Sequence, residues 1–154
     1  MPSPQTLAVL LLAGLVLDAH STWLCLRRGH RETNPFLRRI TPAGIWRVSA
    51  RLGALLLIVF GAALLANRTP LIEPSLRDAI YRTSFFVLTT VSLTKLLAAF
   101  ENYLLAFTGR NIAGTLFGRL RRKNSLWADM FVTFVVVVLP AMTLTWILYP
   151  DLVR

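Results

Sequence analysis

Residues 7–28 read LAVLLLAGLVLDAHSTWLCLRR. Leu7 to Leu26 is a largely apolar run, long enough to cross about 30 Å of hydrocarbon as a helix, and a pair of arginines closes it. Three more runs of this kind follow, at 48–66, 80–107 and 126–149. Over 154 residues, 55% hydrophobic and 16% charged, that pattern is too apolar for an ordinary soluble domain. The connections are short, charged and marked by Pro or Gly, with no stretch long enough for a second domain. The expectation is a single all-α domain over 1–154: an integral membrane bundle of four transmembrane helices.

The formal charge of +10 raises nucleic acid as a partner, but its distribution argues against that. Seven arginines (Arg27, Arg28, Arg31, Arg38, Arg39, Arg47, Arg51) sit in or beside the first connection, and five cations (Arg110, Arg119, Arg121, Arg122, Lys123) in the third. The second has Arg68, Arg77 and Arg82, offset by Glu73 and Asp78. Cations flanking spans mark the cytoplasmic side. Loops 27–47 and 108–126 are therefore expected in the cytoplasm, with both chain ends outside, in a bacterial or archaeal inner membrane.

A cleaved signal peptide needs a basic start, whereas Met1 to Thr6 carries no Lys or Arg and Asp18 lies inside the run. The first run is therefore read as a permanent span, starting after Pro2 and Pro4 and ending at Arg28-Gly29. The lone cysteine, Cys25, allows no internal disulfide and reads as a buried, inert thiol. Gly53, Gly61, Ala62 and Ala63 supply small side chains for close helix packing. After Gly109, Ile112, Leu116 and Leu120 recur every four residues among Arg119, Arg121, Arg122 and Lys123, the pattern of a short basic amphipathic helix on an anionic leaflet. Pro140 is expected to kink the fourth span. Asp129, in the first turn of that span, reads as a helix-dipole partner.

Ionisable groups inside a span are costly and usually face a partner or a cavity. Asp18 lies a little past the middle of span one, with Gly14, Ser21, Thr22 and Cys25 near its face and His20 about 200° away. Lys95 lies near the middle of span three, with Asn102 on almost the same face and Glu101 about 100° round. Asp18, Thr22, Glu32, Asn34, Lys95, Glu101 and Asn102 are thus candidates for one polar column. Arg27, Arg28, Arg31, Arg119, Arg121, Arg122 and Lys123 are candidates for holding lipid headgroups. His20 reads as a packed or hydrogen-bonded side chain. His20 and His30 do not make a metal motif, and neither metal nor cofactor is expected.

The run Asp18-Ala-His-Ser-Thr22, then Gly29, then Glu32-Thr-Asn34-Pro35, resembles a D-x-x-[ST]-T…G-x-x-E-x-N-P signature of a family of small bacterial and archaeal multi-spanning membrane proteins, a domain of unknown function. The likeness spans residues 17–35, about an eighth of the chain. It implies a helical membrane fold, singles out Asp18, Thr22, Glu32 and Asn34, and supplies no reaction. An asparagine in a later span of that family corresponds to Asn102.

No HExxH, GxSxG, P-loop or dinucleotide fingerprint is present, so enzyme function is not indicated. The leading expectation is an accessory or complex-forming membrane protein with a buried ion-pair column, in contact with anionic inner-leaflet lipids and with a second copy or another membrane protein. The alternatives are a small proton- or ion-coupled carrier, or a protein that binds or modifies lipid headgroups through Asp18, Glu32 and Lys95.

Overall fold

The computed structural model describes residues 3–30, 40–121 and 126–150, without side chains over 118–121 and at 126. Among these residues every regular element is helical: α1 (Pro4–Arg27), α2 (Pro42–Arg68), α3 (Pro74–Thr108), α4 (Ile112–Arg121), α5 (Leu126–Thr133), a π turn (Phe134–Val138) and α6 (Leu139–Leu148). Four stretches are long and apolar enough to cross a membrane: α1, α2, α3 and the continuous Trp127–Leu148.

The first three helices start earlier than their apolar runs, for a local reason. Each begins with proline, whose missing N–H is harmless in the first turn and whose φ is already helical. The residue before supplies the cap. Ser3 Oγ accepts from Thr6 N at 3.1 Å and Thr41 Oγ1 from Gly44 N at 3.1 Å. Glu73 precedes Pro74 without a side-chain cap bond. These first turns are too polar to register in a hydropathy run, yet they are helical. α3 reaches 35 residues, about 52 Å at 1.5 Å per residue, which exceeds the hydrocarbon thickness. It ends at Gly109, whose φ of 71° is the left-handed conformation that closes a helix cheaply in glycine.

The direction of each helix follows from its contact register. Side-chain contacts between α1 and α3 join residues 77, 80, 83 and 78 positions apart, a nearly constant offset that requires the two helices to run parallel. α2 returns alongside both, packing Leu52, Leu56, Phe60 and Leu64 against the core. That core is Leu7, Leu11 and Leu15 of α1 with Phe85 and Leu88 of α3, and Tyr149 reaches it from beyond α6. Thr90 of α3 donates to Thr145 of α6 at 3.2 Å. The C-terminal ends of α1 and α3 and the start of α2 therefore share one end of the bundle, which carries Arg27, Arg28, Arg47, Arg51 and Arg110.

Two expectations about the last third change form. The expected kink at Pro140 is taken up as the π turn, where Leu139 N donates to Phe134 O five residues back. Widening the turn just before Pro140 relieves the clash of its ring with a carbonyl that a regular turn would place against it. The basic helix α4 forms, but Phe117 breaks it with φ −121° and ψ 17°. Ile112 and Leu116 stay exposed, while the Phe117 ring meets Phe131 of α5 edge-on at 6.5 Å.

Candidate functional site

The contact between α1 and α3 is built on a repeat that hydropathy conceals. α1 presents Leu7, Leu11, Gly14, Asp18, Ser21, Cys25 and Arg28; α3 presents Phe85, Leu88, Ser92, Lys95, Ala99, Asn102 and Ala106. Both series alternate steps of three and four, the period of a left-handed coiled seam. The first two layers are apolar and fully buried. From Gly14 onward the seam turns polar.

Gly14 allows the close approach. A Cβ there would lie 2.9 Å from Ser92 O and 3.1 Å from Lys95 Cβ, and the first of these is backbone that cannot swing aside. One turn on, Lys95 Nζ donates to Asp18 Oδ2 at 2.7 Å, with the two side chains 26% and 15% exposed. Ser21 Oγ donates to Asp18 O at 3.0 Å and is itself buried. Thr22 Oγ1 accepts from Asn102 Nδ2 at 3.0 Å. Thr22 is thus a partner of Asn102. Cys25 is buried and its Sγ donates to Asn102 O at 3.1 Å. At the end of the seam the Arg28 guanidinium donates to Ala106 O and lies 4.7 Å from the Phe107 ring centre. Arg28 therefore satisfies a carbonyl in the last turn of α3, where a cation complements the helix dipole.

The structure thus brings together Asp18 with Lys95 and Thr22 with Asn102. Glu101 is not in this column. It faces α4, and its Oε2 accepts from Ala113 N at 3.2 Å, in the first turn that Asn111 also caps through Gly114 N at 2.8 Å. The cause is angular: one residue from Asn102 is about 100° of helix, enough to turn Glu101 from α1 to the hairpin partner beyond Gly109. A carboxylate suits a helix N-terminus. Its other oxygen, Oε1, is buried with no hydrogen-bond partner among the described residues. Glu32, Asn34, Arg31, Arg122 and Lys123 lie outside the described residues, as do the side chains of Arg119 and Arg121.

His20 is hydrogen-bonded, as its sequence context suggests: its Nδ1 is 2.7 Å from Tyr103 Oη, and its ring lies 5.7 Å from that of Trp23. The partner, Tyr103, was not evident from the sequence. Nor was Gly14 as a point of close approach, although the three-four alternation through both helices was there to be read. Asp129 is buried in the first turn of α5, where a carboxylate is favourable.

Chemically the seam is a set of matched donors and acceptors. Among the described residues no three His, Cys, Asp or Glu side chains converge as a metal cage. Comparison of the chain with family models, with curated proteins and with solved structures finds no match in any of the three, so the likeness over residues 17–35 remains that of a short motif.

Proposed function

We propose that the chain is a non-catalytic, multi-pass membrane protein that works as a subunit of a larger membrane assembly. The arginine-rich end of the bundle lies in the cytoplasm and both chain ends lie outside. The observation that carries this reading is the use of the seam's polar side chains: Asp18 is held by Lys95, Thr22 by Asn102 and His20 by Tyr103. Groups satisfied by one another fix helix register and are not arranged around a substrate. The orientation is supported by the arginines at one end and by the mixed charges at the other, where Asp78 pairs with Arg82 at 2.7 Å.

A surface for partners is also at hand. α2 has the highest exposure of the first three helices, with 17% of its most apolar window buried against 39% in α1, and Leu55, Ile58 and Leu65 point outward. Lipid or another protein must cover that face. The test is native mass spectrometry after gentle extraction from the membrane in which the protein is made. A stoichiometric protein partner or a second copy is expected, and it is expected to survive the double change Asp18→Asn with Lys95→Met. A monomer without protein partners would overturn the subunit reading. Ion flux in reconstituted vesicles that vanishes in the folded double variant would replace it with a carrier.

A further inference from the structure

α1 and α2 meet closely at Gly53, where an added Cβ would stand 3.2 Å from Leu15 Cδ1. Around that contact Ala19, Ala50 and Ala54 are too short to close the gap, and the two helices enclose an apolar groove of about 370 Å³ walled by Val16 and Leu57. This lies near the lower end of the roughly 300–1,000 Å³ of small-ligand clefts. A helix about 10 Å across does not enter a space of that size, whereas a hydrocarbon chain does. An empty slot facing lipid leaves its walls without dispersion contacts on one side, so a flexible apolar occupant is favoured.

One end of the groove specifies the rest of the ligand. Trp46 lines it there, and exposed Arg47 follows, with exposed Arg51 one turn on. On α1, Trp23 and Arg27 continue the face of Ala19 at intervals of four, and the Arg27 guanidinium lies 5.0 Å from the Trp23 ring centre. Among the described residues, the carboxylates in ion pairs meet Lys95 and Arg82, and none meets Arg27, Arg47 or Arg51. An apolar slot that opens beside two indoles and guanidinium groups without an ion pair among the described residues matches one amphiphile, with its chain in the slot and its anion at the mouth.

We infer that the α1/α2 groove binds one acyl chain of an anionic phospholipid, whose phosphate is held by Arg27 and Arg47 with Arg51 in reach. The site rests on the membrane-spanning reading of the four helices and is independent of whether a protein partner exists.

The test uses the full chain reconstituted into vesicles of equal phosphatidylglycerol and phosphatidylcholine with identical acyl chains, extracted in mild detergent and weighed by native mass spectrometry. One retained phosphatidylglycerol per chain is expected, preferred about tenfold over phosphatidylcholine. Ala50→Leu with Ala54→Leu fills the groove and should abolish retention. Arg27→Gln with Arg47→Gln should keep a lipid but bring the preference to near parity. These arginines are exposed, so this second pair decides the matter if the filled variant does not fold. Absence of retained lipid, equal retention of the two lipids by the unmodified chain, or retention unchanged in the folded groove-filled variant would overturn the site. So would a dimer without lipid that the groove-filling changes dissociate, because a second copy would then be the occupant. A chain that does not float with the vesicles removes the membrane reading and the site together, whereas one that floats without retained lipid removes the site alone.

Discussion

α1 packs on both α2 and α3 and meets them by different physics. Against α3 it uses a glycine, an ion pair and a ladder of hydrogen bonds in a parallel seam. Against α2 it uses aliphatic side chains around a groove that stays open. In water both contacts would gain from burying apolar surface, but in lipid that gain is absent and helix association depends on close packing and polar contacts. The α1/α3 contact is therefore expected to hold the bundle together, and the α1/α2 contact to be the adaptable one.

The largest effect should come from breaking the ion pair. Asp18→Asn leaves the Lys95 ammonium half-buried without a counter-charge, for a loss of about 3–5 kcal/mol. Lys95→Met added to it should restore much of that loss, as measured by denaturant unfolding in micelles. A double variant no more stable than Asp18→Asn alone would mean that the 2.7 Å contact is not what the stability rests on.

Next comes the backbone approach. Gly14→Ala places a methyl group 2.9 Å from Ser92 O, so the helices must separate, and overpacking of this kind costs about 1–3 kcal/mol. Gly53→Ala, on the other contact, meets the mobile tip of Leu15 at 3.2 Å and should cost clearly less. Equal losses at the two glycines would abolish the distinction between a tight and an adaptable contact. Removing the Thr22–Asn102 bond by Asn102→Ala should cost about 1 kcal/mol, with Thr22→Val adding little once Asn102 is gone.

The four apolar runs were legible because hydropathy over 20 residues needs no knowledge of neighbours. The helix starts were not, because Pro42 and Pro74 open turns that carry no apolar signal. The depths of Asp18 and Lys95 can be counted along each helix, and alternating spans make α1 and α3 parallel, but that the two helices are neighbours with these faces together is not given by counting. The seam itself was written in the sequence as alternating threes and fours, and chemical variety hid it. Leu11, Gly14, Asp18, Ser21 and Cys25 share a face without sharing a hydropathy. Glu101 could not be assigned from helix α3 alone, since its partner is the N–H of Ala113 across a turn set by the positive φ of Gly109. Pro140 announced a distortion, but whether it bends the helix or widens one turn depends on packing around Phe134–Val138.

The smallest predicted effect tests what lies on the far side of α2. A Cβ on Gly61 would meet nothing within 4 Å, so Gly61→Ala adds no clash inside the chain. Replacing a mid-helix glycine by alanine removes conformational freedom from the unfolded chain and should raise stability by up to about 1 kcal/mol. That gain should appear in micelles, where the isolated chain is measured. In the native membrane the same change reports on a partner. If a second helix packs on this face at close range, the methyl group weakens the complex while the isolated chain is stabilised. If lipid covers it, the complex is unaffected. A loss of stability in micelles, comparable to that of Gly14→Ala, would show that the α2 face is already in contact with another chain there, and α2 would then no longer be the open side of the bundle.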